Sequence, residues 1–305
     1  MENGISSSGN GAASSSAHGD MKKHKSSSKS KRHIENKKSS TVVESEGRMV
    51  MLDKPMGACA RAFLNLFVLL TEIVLLGVLT VTLFWVFHYE GGVAWTNDIK
   101  RQFNLHFILM IVGLIFLNGQ AILTYRLFGC CRRIYAKLTH AFLFLSAASC
   151  VAIGFYVAFE ANERVHKGAH FYSLHSWLAI VTCGLFIMQL LVGLVSFLIL
   201  LCCDGATASF RAALVPVHAT FGLIIFVLGS ATTLTGFMQA ARARLNGQNQ
   251  NADYRDYPEQ GWILNALSGG VALLIILLPL VARNNIRGGR AVFTTSGSVA
   301  AVDMS

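Results

Sequence analysis

The sequence predicts an all-α membrane protein with six transmembrane helices. Its 305 residues are 53% hydrophobic and only 14% charged, whereas soluble domains carry about 25% charged residues. Apolar runs of about twenty residues or more recur along the chain, too long for ordinary core helices. These observations exclude a soluble enzyme, a disulfide-rich secreted domain and a fibrous protein.

Six apolar runs predict the six helices, because within lipid only helices or closed barrels can satisfy every backbone hydrogen bond. Turn-forming pairs, Gly91-Gly92, Asp204-Gly205 and Tyr257-Pro258, mark connections between runs. The predicted spans are residues 62–88, 104–127, 136–159, 172–201, 213–239 and 262–282. They divide the chain into a tail (1–61), a six-helix domain (62–282) and a second tail (283–305).

The basic residues predict the orientation of the chain. Residues 1–61 hold 11 of the 26 Lys and Arg, spread among Ser, Gly and Asn with little apolar content. That composition is typical of a disordered tail and gives no indication of a nucleic-acid partner. The tails and the two connections on their side carry 19 basic residues, against 7 on the opposite side. The positive-inside rule therefore predicts a multi-pass protein with both termini in the cytosol.

Four histidines lie inside consecutive predicted helices, and each lies within about two turns of its helix's N-terminal end. Because neighbouring helices run in opposite directions, His106 and His175 share the outer depth, and His140 and His218 share the cytosolic depth. A histidine within the membrane is costly and indicates function. The sequence therefore predicts two histidine pairs, one near each membrane face.

Two imidazoles facing each other without a carboxylate or thiolate suit axial ligation of haem iron. A zinc site would usually need three or four protein ligands. The chain has no CxxCH motif, so any haem would be bound non-covalently, as haem b. This interpretation predicts electron transfer across the bilayer. The alternatives are histidines that merely bond neighbouring carbonyls, a non-haem transporter with a histidine proton or metal relay, and a haem-bearing sensor.

Several segments resemble the cytochrome b561 family, the transmembrane ascorbate-dependent oxidoreductases. The likeness covers about residues 80–282 and is greatest to animal members, including the duodenal ferric-reductase type. The segments that carry it are YSLHSW at 172–177, FNLH at 103–106, AILTYR at 121–126 and PVH at 216–218.

The resemblance implies helices 2–5 as a four-helix bundle around two haem b groups. It pairs His106 with His175 and His140 with His218, in agreement with the depths. It further implies a homodimer that oxidises cytosolic ascorbate and reduces an outer acceptor, either monodehydroascorbate or a ferric chelate. The membrane would be that of a secretory vesicle, of an endosome or lysosome, or of the cell surface.

The resemblance also implies a cytosolic ascorbate site. Arg133 and Lys137 lie seven and three positions before His140, and Arg211 lies seven positions before His218. Arg133 replaces the family's usual lysine, which keeps the charge and changes its geometry. Arg126 would contact a haem propionate or the substrate.

On the outer side, the resemblance places His170, Phe171, Tyr172 and Ser173 over the outer haem, with Tyr172 also near the substrate. The duodenal type has a metal-binding histidine after helix 3 where this chain has Asn162. His166 and His170, four positions apart, are alternative ligands for an outer ferric site.

Other positions leave alternatives open. Gln239 replaces a glutamate of the duodenal type, and no partner is evident for Glu72 within the first helix. Glycines of the ligand-bearing helices either leave room for a macrocycle or are ordinary helix contacts; these are Gly113, Gly184 and Gly222.

Overall fold

Six long helices dominate the computed structural model, as the sequence predicts. The structure describes residues 42–45, 48–51, 57–128, 133–166, 170–199, 204–245, 258–286, 290–295 and 298–303. All six helices are long and apolar enough to cross a membrane. They are α1 (Ala58–Tyr89), α2 (Ile99–Leu127), α3 (Arg133–His166), α4 (Leu174–Gly193, continued by Leu194–Leu198), α5 (Asp204–Leu245) and α6 (Glu259–Ile286).

Three of the helices described here contain π-helical segments. In these segments, each backbone hydrogen bond joins residues five positions apart, and each turn holds more than the 3.6 residues of an α-helix. In α1 this segment is the last turn, Trp85–Tyr89, and in α4 it is Leu194–Leu198. The segment Ile111–Leu117 lies in the middle of α2, between two α-helical parts. Such segments often accompany functional sites in helices.

The helices extend beyond most of the predicted spans. The largest difference is at α5, which begins at Asp204 instead of residue 213, so Asp204-Gly205 opens a helix instead of forming a connection. Hydropathy reports which residues can face lipid, whereas backbone hydrogen bonding continues into the polar region beyond it. The prediction of a loop at Asp204-Gly205 is therefore wrong.

Local sequence signals explain where several helices begin and end. The side chain of Asp98 accepts a hydrogen bond from the backbone N–H of Arg101 at the start of α2 (3.1 Å). Ser173 caps α4 in the same way, through the N–H of Ser176 (3.2 Å). After α1, Gly91 and Gly92 adopt φ of +76° and +83°, which glycine tolerates best.

The main core packs α1 and α6 against α2 and α5. Its fully buried side chains include Leu75 of α1, Ile115 of α2, Phe226 of α5 and Leu278 of α6. A Cβ atom on Gly119 of α2 would lie 2.8 Å from a methyl carbon of Leu75, so α1 and α2 approach closely there. Many large apolar side chains point outward, as expected for surfaces in contact with lipid.

Two short antiparallel strand pairs lie outside the helices in sequence. One joins β1 (Val42–Ser45) to β2 (Arg48–Met51), and the other joins β3 (Arg290–Thr295) to β4 (Ser298–Asp303). Residues 1–41 lie outside the described residues. The disordered tail remains a prediction.

Candidate cofactor sites

The four histidines of the helices meet as two pairs. The ring centroids of His106 (α2) and His175 (α4) are 6.4 Å apart, and those of His140 (α3) and His218 (α5) are also 6.4 Å apart. These are the partners that the helix depths predict. The His106–His175 pair lies toward the end of the bundle that holds Glu90, and the His140–His218 pair lies toward the end that holds Lys137. We refer to these as the Glu90 end and the Lys137 end.

Main-chain carbonyls orient three of the imidazole rings. Nδ1 of His106 hydrogen-bonds to the carbonyl of Gly154 (2.8 Å), and Nδ1 of His140 to that of Ala121 (2.8 Å). Nδ1 of His175 hydrogen-bonds to the carbonyl of Thr232 (2.9 Å). A carbonyl only accepts hydrogen bonds, so each Nδ1 carries the proton and each Nε2 keeps its lone pair. Histidines that ligate metals usually have this arrangement.

His218 is held differently. Among the described residues its buried Nδ1 has no hydrogen-bond partner, while its backbone carbonyl accepts a hydrogen bond from the side chain of Gln189 (2.5 Å). Its ring packs edge-to-face against Phe197, with centroids 5.2 Å apart. Packing against α4 therefore positions this ring.

A glycine on the facing helix packs against one ring of each pair. A Cβ atom on Gly236 would lie 3.0 Å from Cε1 of His175, and a Cβ atom on Gly193 would lie 3.0 Å from Cε1 of His218. Any larger residue would push the ring aside. These two glycines therefore fix how closely α4 and α5 approach each other's histidine.

The donor set fits a metal that is already held by a macrocycle. Metal–imidazole bonds are about 2.0–2.1 Å for zinc, so two rings on opposite sides of one metal ion have centroids about 6 Å apart. In the part of the chain that the structure describes, no group of three or more His, Cys, Asp or Glu is placed to hold a metal. Two free Nε2 atoms suit haem iron, because the porphyrin supplies its other four ligands.

The predicted ascorbate residues share the Lys137 end. Arg133 is the first residue of α3, and Lys137 and His140 follow it on the same helix. Arg211 lies two turns before His218 in α5, and Arg126 lies in the last turn of α2. Spacings of three and seven put Arg133, Lys137 and Arg211 on the same helix face as the histidine that follows each of them.

The segment before α4 holds His170 between two helical residues. The side-chain amide of Asn162 lies 3.1 Å from its Nδ1, and the Glu163 carboxylate lies 2.5 Å from its Nε2. Its ring also stacks on Phe159, with centroids 4.2 Å apart. Both ring nitrogens are therefore engaged in this structure. The side chain of His166 lies outside the described residues.

The residues that follow His170 lead directly into α4. Phe171 has a φ of +55°, which is unusual for a residue other than glycine. The side chain of Tyr172 is 70% exposed, and Ser173 caps the helix that carries His175. This segment therefore presents Tyr172 at the surface, three residues before His175 of the His106–His175 pair.

A buried polar cluster at the Glu90 end was not found by sequence reasoning. Glu90 is 4% exposed and pairs with Arg244 of α5 and with Lys100 of α2 (3.1 Å). Asn104 accepts a hydrogen bond from Arg244 (2.6 Å) and donates to the backbone carbonyls of Glu90 (3.1 Å) and Gly92 (2.6 Å). The cluster joins α1, α2 and α5 beside His106. Its signal in the sequence is weak, since polar residues at membrane interfaces are common.

Glu72 has a partner in the structure. Nε2 of Gln120 in α2 donates to Oε2 of Glu72 in α1 (2.5 Å), and the next residue, Ala121, provides the carbonyl that binds His140. Gln239 is exposed and is not part of this contact. Glu72 is thus tied to the helix that orients one of the imidazoles.

The three glycines with open roles differ from one another. A Cβ atom on Gly113 would lie 3.0 Å from the carbonyl oxygen of Ala147 in α3, so Gly113 is a helix contact. Among the described residues, a Cβ atom on Gly184 would have no neighbour within 4 Å, and one on Gly222 would meet only the Gln189 amide, at 3.8 Å. Space for a macrocycle is therefore an interpretation that suits Gly184 and Gly222, but not Gly113.

Six membrane-spanning helices that hold two facing imidazole pairs define the class of helical membrane cytochromes. A family model described as eukaryotic cytochrome b561 matches residues 105–243, which include all four histidines. The chain belongs to the cytochrome b561 family. The family name implies haem b as the cofactor.

Relatives from several mammals share this similarity. The pig transmembrane ascorbate-dependent reductase CYB561 is 34% identical over 233 residues, which cover 74% of this chain and 87% of the pig protein. The human protein of the same name is 36% identical over 199 residues, or 63% and 74% of the two chains. The mouse plasma membrane ascorbate-dependent reductase CYBRD1 is 35% identical over 219 residues, or 70% of each chain.

Proposed function

We propose that this protein transfers single electrons from cytosolic ascorbate, through two haem b groups, to an acceptor on the other side of the membrane. The observation that carries the proposal is the pair of matching sites, each with two imidazoles whose ring centroids are 6.4 Å apart. The names of the relatives support ascorbate as the electron donor.

The histidines hold and orient the cofactors. His106 and His175 would hold one haem, and His140 and His218 would hold the other, each through Nε2. Haem b, when bound, supplies a centre that accepts and releases one electron. The carbonyls of Gly154, Ala121 and Thr232 fix the rings and increase their basicity. Two imidazoles at each site would leave the iron no open position for oxygen, which would favour electron transfer over oxygen chemistry.

The basic residues of the Lys137 end bind the donor. Ascorbate is a monoanion at neutral pH, so Arg133, Lys137 and Arg211 attract and orient it beside the His140–His218 pair. Arg126 contributes a further positive charge for a propionate or for the substrate. The positive-inside rule puts this end in the cytosol.

The acceptor binds at the Glu90 end, where Tyr172 is exposed beside the His106–His175 pair. Both monodehydroascorbate and a ferric chelate fit this proposal. Each is reduced by one electron, and each can be recognised by polar and aromatic groups in the segment 170–173.

An optical spectrum of the purified full-length protein, recorded before and after ascorbate, tests the proposal. We expect two haems per chain and a reduced α-band that grows when ascorbate is added. His106→Ala and His140→Ala should each remove one haem. The control is His88→Ala, because His88 stacks on Phe84 in α1 and belongs to neither pair.

A colourless protein would overturn the proposal. It would favour the alternative of a non-haem transporter in which the membrane histidines relay protons or metal ions. Two haems that ascorbate fails to reduce would instead indicate a sensor.

A further inference from the structure

The four histidine-bearing helices meet again midway between the two pairs. The residue seven positions after each histidine is buried: Gly113 in α2, Ala147 in α3, Thr182 in α4 and Ile225 in α5. Seven residues correspond to about 10 Å along a helix. Because α2 and α4 run opposite to α3 and α5, these four residues reach the same level. We call this level, together with Phe186, the waist.

The waist is closely packed. A Cβ atom on Gly113 would lie 3.0 Å from the carbonyl oxygen of Ala147, which leaves no room for a side chain. The hydroxyl groups of Thr182 and Thr232 are 3.1 Å apart. Gly229 of α5 also lies close to Thr182, whose methyl group would lie 3.7 Å from a Cβ atom there, an ordinary van der Waals contact.

Phe186 is buried at this level. It is 2% exposed and forms a buried cluster with Ala147 and Ile225, separate from the main core. Its ring lies 5.9 Å from that of Phe144, which in turn lies 4.7 Å from the ring of His140. One turn before Phe186 on α4, Thr182 contacts Thr232, whose carbonyl binds His175. Packed groups therefore connect the two pairs without interruption.

An apolar cavity of about 370 Å³ lies beside the waist, between α3 and α4. Phe186 is part of its wall, together with Cys183, Val151 and Ile187. The same ring therefore faces the buried cluster on one side and this cavity on the other. Removing the ring would join the cavity to the centre of the bundle.

We propose that Phe186 and the waist residues form a dry septum that couples the two haem sites for electron transfer and blocks water and protons between them. This inference rests on the proposed function. With haem bound at both sites, one electron would pass from the reduced cytosolic site to the oxidised outer site, so that the outer site would gain the electron that the cytosolic site loses. No bond is made or broken, and no proton needs to cross the waist.

The physical reason is that electrons and protons need different media. An electron tunnels more readily through packed atoms than across an empty gap, whereas a proton needs a chain of water or polar groups. A septum of closely packed Ala, Ile and Phe side chains therefore lets electrons pass and stops protons. The hydroxyls of Thr182 and Thr232 bond to each other at the waist, and Thr232 also donates to the carbonyl of Leu228 (2.8 Å).

The test uses Phe186→Ala in the full-length holoprotein, with Phe142→Ala as the control. Phe142 lies on α3 two residues before Phe144 and is 67% exposed toward lipid. In proteoliposomes with a trapped pH dye and no electron donor, we expect Phe186→Ala to increase proton leakage several-fold. After rapid injection of one electron, we expect the equilibration between the haems to slow several-fold. Redox titration should still give two haems per chain.

Ile225→Ala removes a smaller part of the same septum and should give the same changes at smaller amplitude, even if Phe186→Ala folds poorly. Unchanged proton leakage and electron equilibration in both variants would overturn the septum, as would equal changes in Phe142→Ala. The wild-type protein tests the proposed function separately. If the wild-type protein lacks haem, the proposed function fails. Vesicles with Phe186→Ala that leak protons no faster than wild-type vesicles contradict only the septum.

Discussion

At the scale of single residues, the two sites are built mainly from contacts between imidazoles and the backbone. His106, His140 and His175 each donate an N–H to a main-chain carbonyl of another helix. On that helix, the carbonyl lies about four turns after the helix's own histidine. Each carbonyl belongs to a helix that also carries a histidine of the other pair. A shift of one helix therefore affects both sites at once.

Replacing Gly236 by Ala should weaken the site of His106 and His175. The new methyl group would lie 3.0 Å from the His175 ring, which the carbonyl of Thr232 prevents from moving freely. Overpacking of this kind costs about 1–3 kcal/mol, which lowers haem affinity by roughly 5-fold to 150-fold. Haem content measured during dilution or haem extraction should fall from two groups per chain toward one.

Gly269→Ala in α6 is the matched control, because its Cβ atom would have nothing within 4 Å among the described residues and α6 carries none of the four histidines. Gly193→Ala should produce the same loss at the other pair, through the ring of His218. Equal haem retention in Gly236→Ala and Gly269→Ala would contradict this role of the glycines.

The histidines themselves could be predicted from the sequence, because an ionisable residue inside an apolar run is conspicuous and helix direction sets its depth. The groups that orient them could not. Gly154, Ala121 and Thr232 act through their carbonyls, which every residue has. The engagement of His170 by Asn162 and Glu163 likewise depends on how the chain turns before α4.

At the scale of helices, the polar cluster of Glu90, Lys100, Asn104 and Arg244 connects three elements at one end of the bundle. The side chain of Glu90 is 3% exposed and that of Arg244 is 11% exposed, so their charges are largely removed from water. Arg244 also lies over the ring of Trp85, 5.2 Å from its centroid. The cluster therefore stabilises the start of α2, which carries His106.

Glu90→Gln should destabilise the protein by about 3 kcal/mol, because it leaves the buried charge of Arg244 without its carboxylate. Arg244→Gln should cost less, because Glu90 keeps its ion pair with Lys100 (3.1 Å). The double variant should lose less than the sum of the two, since it removes both charges of the pair together. Thermal or denaturant unfolding in detergent, followed by helical circular dichroism, measures the three values. Additive effects would show that Glu90 and Arg244 stabilise the fold independently.

The number of helices and their order could be predicted from hydropathy alone. Their ends could not, as α5 shows by starting at Asp204. Apolar runs report the part of a helix that faces lipid, and the turns beyond that part contain polar residues such as Arg211 and Arg244. The π-helical segments were also not predictable, since Ile111–Leu117 has an ordinary apolar sequence.

At the scale of the whole molecule, the two ends differ in charge and in chemistry. The Lys137 end carries the basic residues Arg126, Arg133, Lys137 and Arg211, whereas the Glu90 end also carries acidic residues, in the pairs Glu90–Arg244, Glu90–Lys100 and Glu160–Arg164. This asymmetry suits an anionic donor at one end. The difference between the ends therefore favours electron flow from the Lys137 end, which attracts the anionic donor, to the Glu90 end.

The double variant His166→Ala/His170→Ala should separate the two proposed acceptors. If these side chains bind iron, reduction of a ferric chelate should fall while reduction of monodehydroascorbate survives. Both rates are measured in proteoliposomes loaded with ascorbate, so that the donor side stays constant. Unchanged ferric reduction would exclude a metal role for both histidines; the engagement of His170 by Asn162 and Glu163 favours that outcome.

The π-helical segment of α2 has a consequence for the length of the helices. From His106 to the carbonyl of Ala121 there are fifteen residues, whereas α3 spans fourteen from His140 to Gly154 and α5 fourteen from His218 to Thr232. The wide turn at Ile111–Leu117 takes up the surplus, as a π-bulge can absorb one inserted residue without disturbing the helix on either side. We therefore expect α2 to tolerate a single-residue deletion within this turn, whereas the same deletion between the corresponding residues of α3 or α5 would rotate one histidine away from its partner.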